Sequence, residues 1–409
     1  MQSLPKLRTD LEFMPSPLED RPGLFIRDPY RYTDAAVIVP PLLAEGLAFF
    51  DGQQTELDLQ AYFTRRTGQL VPSDVVRSMV HALSEQGFLH TEKFDRMKLD
   101  KQRAFWEASQ RMPAHAGSAY PAEAAGLQQR LAEFTRDGAG QSQNGFPAGS
   151  RRIALAAPHV SPEGGWRSYA AAYAGLGPEL ADKTFVILGT SHYGEPQRFG
   201  LTRKPFVTPL GTLEPDLPLV DRLAARGGDA VALEDYCHSI EHSIEFQCIF
   251  LQHQLGVRIK ILPILCGPFI ESLLTGRAPE TNESVRRFFN ELREIEEAYG
   301  NRIFWILGID LAHIGRRYGD AFAARAQEGR MVEIQRADEE RLEKVCSGES
   351  EAFFELVRPG HDELRWCGYS PLYTFLQAAP AARGAVLRYE QWNIDEMSVV
   401  SFAALEFWK

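Results

Sequence analysis

Two apolar runs that each end in histidine decide the fold of this chain: IALAAPH (Ile153–His159) and FVILGTSH (Phe185–His192). Short runs of β-branched and aromatic residues bounded by Gly or Pro are typical of buried strands. The Ala- and Tyr-rich run between them, GWRSYAAAYAGL (Gly165–Leu176), has helical periodicity. Strand, helix and strand in this order predict a parallel pair joined by a crossover, and with it an α/β domain.

A third run of the same form comes later in the chain, IFWILGIDLAH (Ile303–His313). In open α/β sheets, ligands bind beyond the carboxyl ends of the strands. His159, His192 and His313 are all predicted at such ends. Three histidines at one edge of a sheet point to a binding or catalytic site there.

The segment HSIEHSIE (residues 238–245) adds more side chains that could bind a metal. A spacing of four predicts that His238 and His242 share one face of a helix, and that Glu241 and Glu245 share a face too. Asp310 lies within the third histidine-ended run. Imidazole and carboxylate groups are the usual ligands of iron, manganese, copper and zinc.

The composition sets the class of protein. The chain has 409 residues, which predicts two domains, and its 44% hydrophobic and 24% charged residues are ordinary for a globular protein. A formal net charge of −11 argues against a general nucleic-acid binder. Five scattered cysteines favour free thiols in a reducing cytoplasm, and neither a signal core nor a membrane-spanning run is expected.

The amino-terminal part is predicted to be a separate domain, with an arm and a small helical module in residues 1–100 and the α/β domain in residues 101–409. Three short helical patterns followed by GFLH suggest a winged-helix unit. Residues 1–110 contain 13 Lys and Arg against 16 Asp and Glu, so the charge needed to bind phosphates is missing. The module resembles the peptide-recognition modules that accompany radical-SAM enzymes. A docking or dimerisation module is the alternative.

The larger part of the chain carries a series of motifs similar to those of the Memo family, the B component of the AmmeMemoRadiSam system. The resemblance runs along residues 112–409, and its motifs follow the order of that family. They are PAHAGSAYP, APHVSPEGG, VILGTSHYG, IEHSIEFQCIFLQ, KILPILCG, GIDLAHIGRRYGD, WCGYSPLYTFLQAA and SVVSFAAL.

The resemblance implies a fold like that of the class III extradiol dioxygenases, in which strand-end histidines hold a non-haem iron. It implies that His159 and His192 are the shared metal ligands. His242, together with Glu241, matches the family's EHS segment, whose histidine faces the same pocket.

Three positions depart from the family pattern, and one of them is Thr190, which stands where the GPSH motif has proline. Ala312 stands where animal members are expected to supply a cysteine ligand, in their DFCHW segment, and Ile240 stands where an acid usually precedes EH. The third ligand is therefore open among Asp310, His313 and His242. Cys367, in the WCGYSP motif, is interpreted as a small packing residue in preference to a reactive thiol.

Three functions remain open from the sequence. The first is a redox site with iron, or secondly copper, acting in dioxygenase-like chemistry on a small or peptidyl substrate, with His242, Glu241, Asp310 and His313 as catalytic candidates. The second is a scaffold protein that kept the fold, lost turnover and recruits a partner such as a radical-SAM enzyme. The third is zinc-dependent hydrolysis with Glu241 as the base.

Overall fold

The computed structural model describes residues 3–138, 147 and 149–409, and it divides the chain into two compact units, Met1–Ala108 and Ser109–Lys409. Helix Glu92–Glu107 runs across the predicted boundary at residue 100 and belongs to the first unit.

The first unit consists of a small antiparallel sheet and helices that follow it in the chain. The Thr55 hydroxyl accepts a hydrogen bond from the Asp58 amide, and the Asp58 carboxylate accepts one from the Thr55 amide, so the second helix begins with a complete capping box. That helix ends at Gly68 in the left-handed conformation. The winged-helix interpretation stays a prediction. The elements are β1 (Glu12–Pro15), β2 (Leu24–Arg27), β3 (Ala36–Val39), α1 (Pro41–Glu45), α2 (Glu56–Thr67), α3 (Ser73–Glu85) and α4 (Glu92–Glu107).

The second unit alternates strands and helices, as an α/β domain does. Its strands are β4 (Arg152–Ala157), β5 (Thr184–Thr190), β6 (Phe199–Leu201), β7 (Phe206–Thr208), β8 (Gly211–Pro215), β9 (Val231–Leu233), β10 (Lys260–Cys266), β11 (Ile303–Gly308), β12 (His313–Gly315), β13 (Arg383–Asp395) and β14 (Ser398–Trp408). Its helices are α5 (Ala124–Gly138), α6 (Pro162–Tyr173), α7 (Leu217–Arg226), α8 (Glu245–Leu255), α9 (Ile270–Thr275), α10 (Glu283–Tyr299), α11 (Arg330–Cys346), α12 (Ser350–Val357) and α13 (Tyr369–Ala378).

The strands form one large mixed sheet with a parallel centre in the order β4, β11, β5, β10. β4 and β5 are parallel as predicted, but they are not a pair, because β11 lies between them. β14 closes one side of this centre antiparallel to β4. The three runs that end in histidine therefore lie side by side, and their carboxyl ends meet at one edge of the sheet.

Two glycines near the strand ends let the segment around Ser243 approach the sheet closely. A Cβ atom on Gly189 of β5 would lie 2.5 Å from Ser243 Oγ, and one on Gly308 of β11 would lie 2.3 Å from the Ser243 carbonyl oxygen. Any larger residue would push this segment away. The LG pairs that end these strands are thus the reason that Glu241 and His242 reach the strand ends.

The HSIEHSIE segment is not the helix that the sequence analysis expected. Residues Tyr236–Ser239 form a 3-10 turn, and α8 begins only at Glu245. The spacing of four between His238 and His242 consequently does not place them on one face.

Replacing Thr55 with Ala should lower the local stability of α2 by about 1 kcal/mol, because the first turn loses its capping acceptor. Amide hydrogen exchange resolved to residues 56–67 measures this. The control is Ser73→Ala at the start of α3, where Pro72 occupies the cap position and no side chain caps the helix. Equal losses of protection in the two variants would contradict the role given to the capping box.

Candidate metal centre

His159 lies two residues beyond the end of β4 and has a fixed ring orientation. Its Nδ1 lies 3.0 Å from the Gly308 carbonyl oxygen. A carbonyl only accepts, so Nδ1 carries the proton and the lone pair is on Nε2. Nε2 lies 3.3 Å from Cys367 Sγ and 3.4 Å from Asp310 Oδ2. Burial, with the nearby His192 and His242, holds the pKa of His159 well below its ordinary value, so this ring is neutral and able to bind a metal.

His192 follows β5 and is held by a buried carboxylate. Its Nδ1 lies 3.0 Å from Glu241 Oε1, and its backbone amide donates to Glu241 Oε2 at 2.8 Å. Burial opposes a charged ring, but the attraction of Glu241 outweighs it and raises the pKa of His192 well above the ordinary value. The side chain is 28% exposed.

His242 lies in the segment that packs against Gly189 and Gly308. Its ring stacks on that of His192, with centroids 4.9 Å apart and planes at 12°, and it lies 5.3 Å from the His159 ring. Its Nδ1 is 3.0 Å from the same Glu241 Oε1, and its side chain is 25% exposed. His192 and His242 therefore form the open side of the cluster, and His159 forms its buried floor.

Glu241 is the buried group that orients both of the exposed rings. Besides the two Nδ1 atoms, its Oε1 accepts the His242 amide at 2.8 Å. Burial opposes its charge, yet His192 and His242 keep the pKa of Glu241 well below the ordinary value. With both oxygens engaged, Glu241 acts as an orienting carboxylate, the partner that metal-binding histidines usually have.

The result is a compact set of donor atoms. Ligand atoms of His159, His192 and His242 all lie within 4.8 Å of one another, and so do those of His159, Asp310 and Cys367. His159 is common to both groups. Because Nδ1 of each imidazole faces a carbonyl or a carboxylate, Nε2 is the nitrogen left to bind a metal. The donor set fits a transition-metal ion.

Asp310 connects the ends of β4 and β11. Its Oδ1 accepts the backbone amides of His159 at 2.9 Å and Val160 at 3.2 Å. Burial raises the pKa of this carboxyl group above its ordinary value, which nearby His313 partly opposes. Oδ1 is thus engaged by the two backbone amides that follow β4, while Oδ2 faces His159 Nε2.

Cys367 is a candidate ligand that sequence reasoning did not place at the site. It was interpreted as packing, but its thiol lies in the group with His159 and Asp310. Burial raises its pKa, and His192 partly opposes this effect. Ala312, which stands where animal members of the family are expected to have a cysteine ligand, lies in the apolar core. The signal that could have found Cys367 was its place in the WCGYSP motif, which is one of the family motifs.

Two candidate histidines lie outside both groups. His313 Nδ1 is 2.9 Å from the Leu311 carbonyl oxygen, and its ring packs edge-on against Tyr318. His238 donates from Nε2 to the Gly200 carbonyl oxygen at 3.0 Å, and its ring packs against Phe206. Both rings are thus held by contacts outside the two donor groups, although the buried Nδ1 of His238 has no hydrogen-bond partner among the described residues.

A buried ion pair supports the segment that carries Glu241. The Arg111 guanidinium, which is fully buried, donates to the carbonyl oxygens of His238 and Glu241, each at 2.8 Å, and pairs with the Glu245 carboxylate. Glu245 also accepts from the Tyr120 hydroxyl. Sequence reasoning did not single out Arg111, because nothing in its local sequence marks it.

Comparison with known proteins gives the family. The model of the Memo-like protein family matches residues 111–406. The chain belongs to this family.

Relatives named MEMO1 family protein match over most of their own length. The Aquifex aeolicus protein is 26% identical over 94% of this chain and 95% of its own. The Thermus thermophilus protein is 26% identical over 81% of this chain and 92% of its own length. The Thermococcus kodakarensis protein is 29% identical over 73% of this chain and 99% of its own length. The Aquifex match spans 387 residues and so extends beyond the Memo region into the first unit.

A solved structure of an uncharacterized Escherichia coli K12 protein shares 12% identity, with a TM-score of 0.37 over 63% of this chain and 99% of its own. In the described part of the Memo-like chain, no helix has both the length and the apolar character needed to cross a bilayer.

Replacing Glu245 with Gln should lower the free energy of unfolding at pH 7 by about 3–5 kcal/mol, because Arg111 is left as an unpaired buried charge. Urea denaturation measures the loss. Glu163→Gln is the matched control, since it breaks a surface pair with Arg130 and should have a much smaller effect. Similar losses in the two variants would contradict the weight given to the buried pair.

The same pair predicts a pH dependence. Burial opposes the charge of Glu245, but Arg111 and further partners lower its pKa below the ordinary value. The stabilisation is therefore present above the pKa of about 4.3 that glutamate has in unfolded chains, and it is lost as the pH falls through the lower folded value. The difference in stability between the wild type and Glu245→Gln should shrink over that acidic range.

Proposed function

We propose that this protein binds a redox-capable transition metal through Nε2 of His159 and His192, with His242 and Cys367 beside them, and that it oxidises a small or peptidyl substrate. Iron is the first candidate and copper the second. The observation that carries the proposal is the set of three imidazoles whose Nδ1 atoms all face fixed acceptors, with a thiol 3.3 Å from the innermost ring.

The donor chemistry supports a metal that accepts nitrogen and sulfur. Imidazole suits iron, copper and zinc, and thiolate favours the softer ions among them. A site made only of carboxylates and carbonyls would instead favour magnesium or calcium. Asp310 offers one harder ligand atom, Oδ2, on the side of His159 that faces Cys367.

Such a metal, when bound, supplies one-electron and oxygen chemistry, and the protein supplies geometry. Glu241 accepts from Nδ1 of His192 and of His242 and so leaves Nε2 of each ring for the metal, which on His192 would displace the proton that the raised pKa retains. His242 serves as the third ligand or as a proton acceptor for substrate at the open side. The buried side, at His159 and Asp310, excludes water, and the part-exposed rings of His192 and His242 lie on a side that is open to substrate.

The two alternative functions have weaker support. The scaffold alternative is favoured by the two departures Ala312 and Ile240, and Cys367 offsets the first of them by providing a thiol close to His159. Zinc hydrolysis used Glu241 as the base, but the Glu241 carboxylate is buried and accepts hydrogen bonds on both oxygens. A recruited partner such as a radical-SAM enzyme, with the first unit as its docking module, is compatible with the redox proposal.

Plasma mass spectrometry on tag-free protein purified without oxygen tests the proposal. We expect near-stoichiometric iron or copper in the wild type and none in the double variant His159→Ala/His192→Ala. His313→Ala is the control and should retain its metal, because that ring lies outside both donor groups. Unchanged metal in the double variant would refute the assignment, and zinc in the wild type would favour the hydrolase.

A further inference from the structure

A second buried carboxylate, Asp338, lies on α11 and outside both donor groups of the metal centre. It is fully buried and accepts three short hydrogen bonds from different parts of the chain. The donors are Trp366 Nε1 at 2.6 Å, the Ser401 hydroxyl at 2.6 Å and the Tyr389 hydroxyl at 2.7 Å. The loop before α13, the strand β14 and the strand β13 are therefore joined at one side chain.

The first of these bonds leads to the thiol of the centre. Trp366 immediately precedes Cys367 and is itself buried. Its indole is held by Asp338, and its backbone amide donates to Asp362 Oδ2 at 2.6 Å. On the other side of the cysteine, the Gly368 amide donates to the Asp310 carbonyl oxygen at 2.9 Å. The position of the thiol is therefore fixed by the bonds of its two neighbours.

The second bond leads to the carboxylate of the centre. The Ser401 hydroxyl, which donates to Asp338, accepts the Ala312 amide at 2.9 Å. The Ser401 carbonyl oxygen accepts the Leu311 amide at 2.8 Å. These bonds fix the two residues that follow Asp310, and Asp310 in turn holds the His159 amide.

Among the described residues, no cation forms a hydrogen bond or ion pair with the Asp338 carboxylate. Arg341, one turn further along α11, pairs with Asp362 at 2.7 Å. Burial raises the pKa of Asp338 to about 6, although its three donors oppose the shift. A buried carboxylate of this kind costs stability unless its hydrogen bonds are all made. If only packing were needed at this position, burying an apolar residue there would cost less free energy than burying a carboxylate.

We propose that Asp338 is a positioning residue of the metal centre, which sets the Cys367 thiol and the Asp310 segment against His159. The inference rests on the proposed metal-binding function. Outer groups that orient metal ligands typically change metal affinity by about 10- to 100-fold when they are replaced.

The first test uses cobalt(II), a spectroscopic probe that takes imidazole and thiolate ligands. We expect Asp338→Asn to weaken cobalt binding about 10- to 100-fold and to reduce or shift the thiolate-to-cobalt charge-transfer band. Cys367→Ser identifies this band by abolishing it. Trp366→Phe removes only the indole donor and leaves Asp338 with Ser401 and Tyr389, so it should alter the band even if Asp338→Asn folds poorly.

The matched control is Glu296→Gln. Glu296 is a buried carboxylate that likewise accepts an indole N–H, from Trp305 at 2.7 Å, but it lies near the start of β11 and not beyond its end. We expect this variant to keep the wild-type cobalt affinity and band. Wild-type spectra in both Asp338→Asn and Trp366→Phe, or the same perturbation in Glu296→Gln, would overturn the inference.

The second test needs no metal, so it separates this inference from the proposed function. Iodoacetamide alkylation of the metal-free protein is followed for each cysteine by mass spectrometry. In Asp338→Asn, Cys367 should react severalfold faster, while Cys346, on the same helix as Asp338, should react at its wild-type rate. A wild type that binds no cobalt would refute the metal site alone. Unchanged Cys367 reactivity would refute the positioning role.

Discussion

The Glu241 carboxylate is the group on which the rest of the centre depends. It lies in the interior, where a charged group is stable only if nearly every lone pair has a donor. The donors are the ring nitrogens and amides of His192 and His242, together with the Ser243 amide. The need of the carboxylate for partners and the need of the rings for a fixed orientation are therefore met by the same bonds.

The backbone around Glu241 must be equally well held, since a displaced carboxylate would release both rings. Arg111 does this by donating to the Glu241 carbonyl oxygen while its own charge is balanced by Glu245. The glycines at the ends of β5 and β11 leave the space for this segment. A buried ion pair contributes little net stability. Arrangements of the chain that separate Arg111 from Glu245 are nevertheless much higher in free energy, because they leave a buried charge without a partner.

Through Trp366, Asp338 performs a comparable task for the thiol. Both carboxylates are buried and both accept several donors, yet they differ in charge balance. Glu241 has the His192 imidazole beside it and remains ionised, whereas burial raises the pKa of Asp338 to about 6. At pH 7 both groups are mainly ionised, so the centre is held by one carboxylate that orients imidazoles and by another that orients the loop bearing Cys367.

The sequence by itself determined the strands, the family motifs and which histidines end the strands that the fold brings side by side. These features follow from local patterns, since period, turn residues and strand-end positions are written within about ten residues. It did not determine the order β4, β11, β5, nor that His238 and His313 turn away from the cluster. It also left Cys367 as packing and gave no sign of Arg111 or Asp338. Cys367 and His159 are 208 residues apart, and Arg111 and Glu245 are 134 apart. Only the tertiary structure decided these partnerships, because a buried polar group is satisfied by whatever the fold brings next to it and not by its neighbours in the chain.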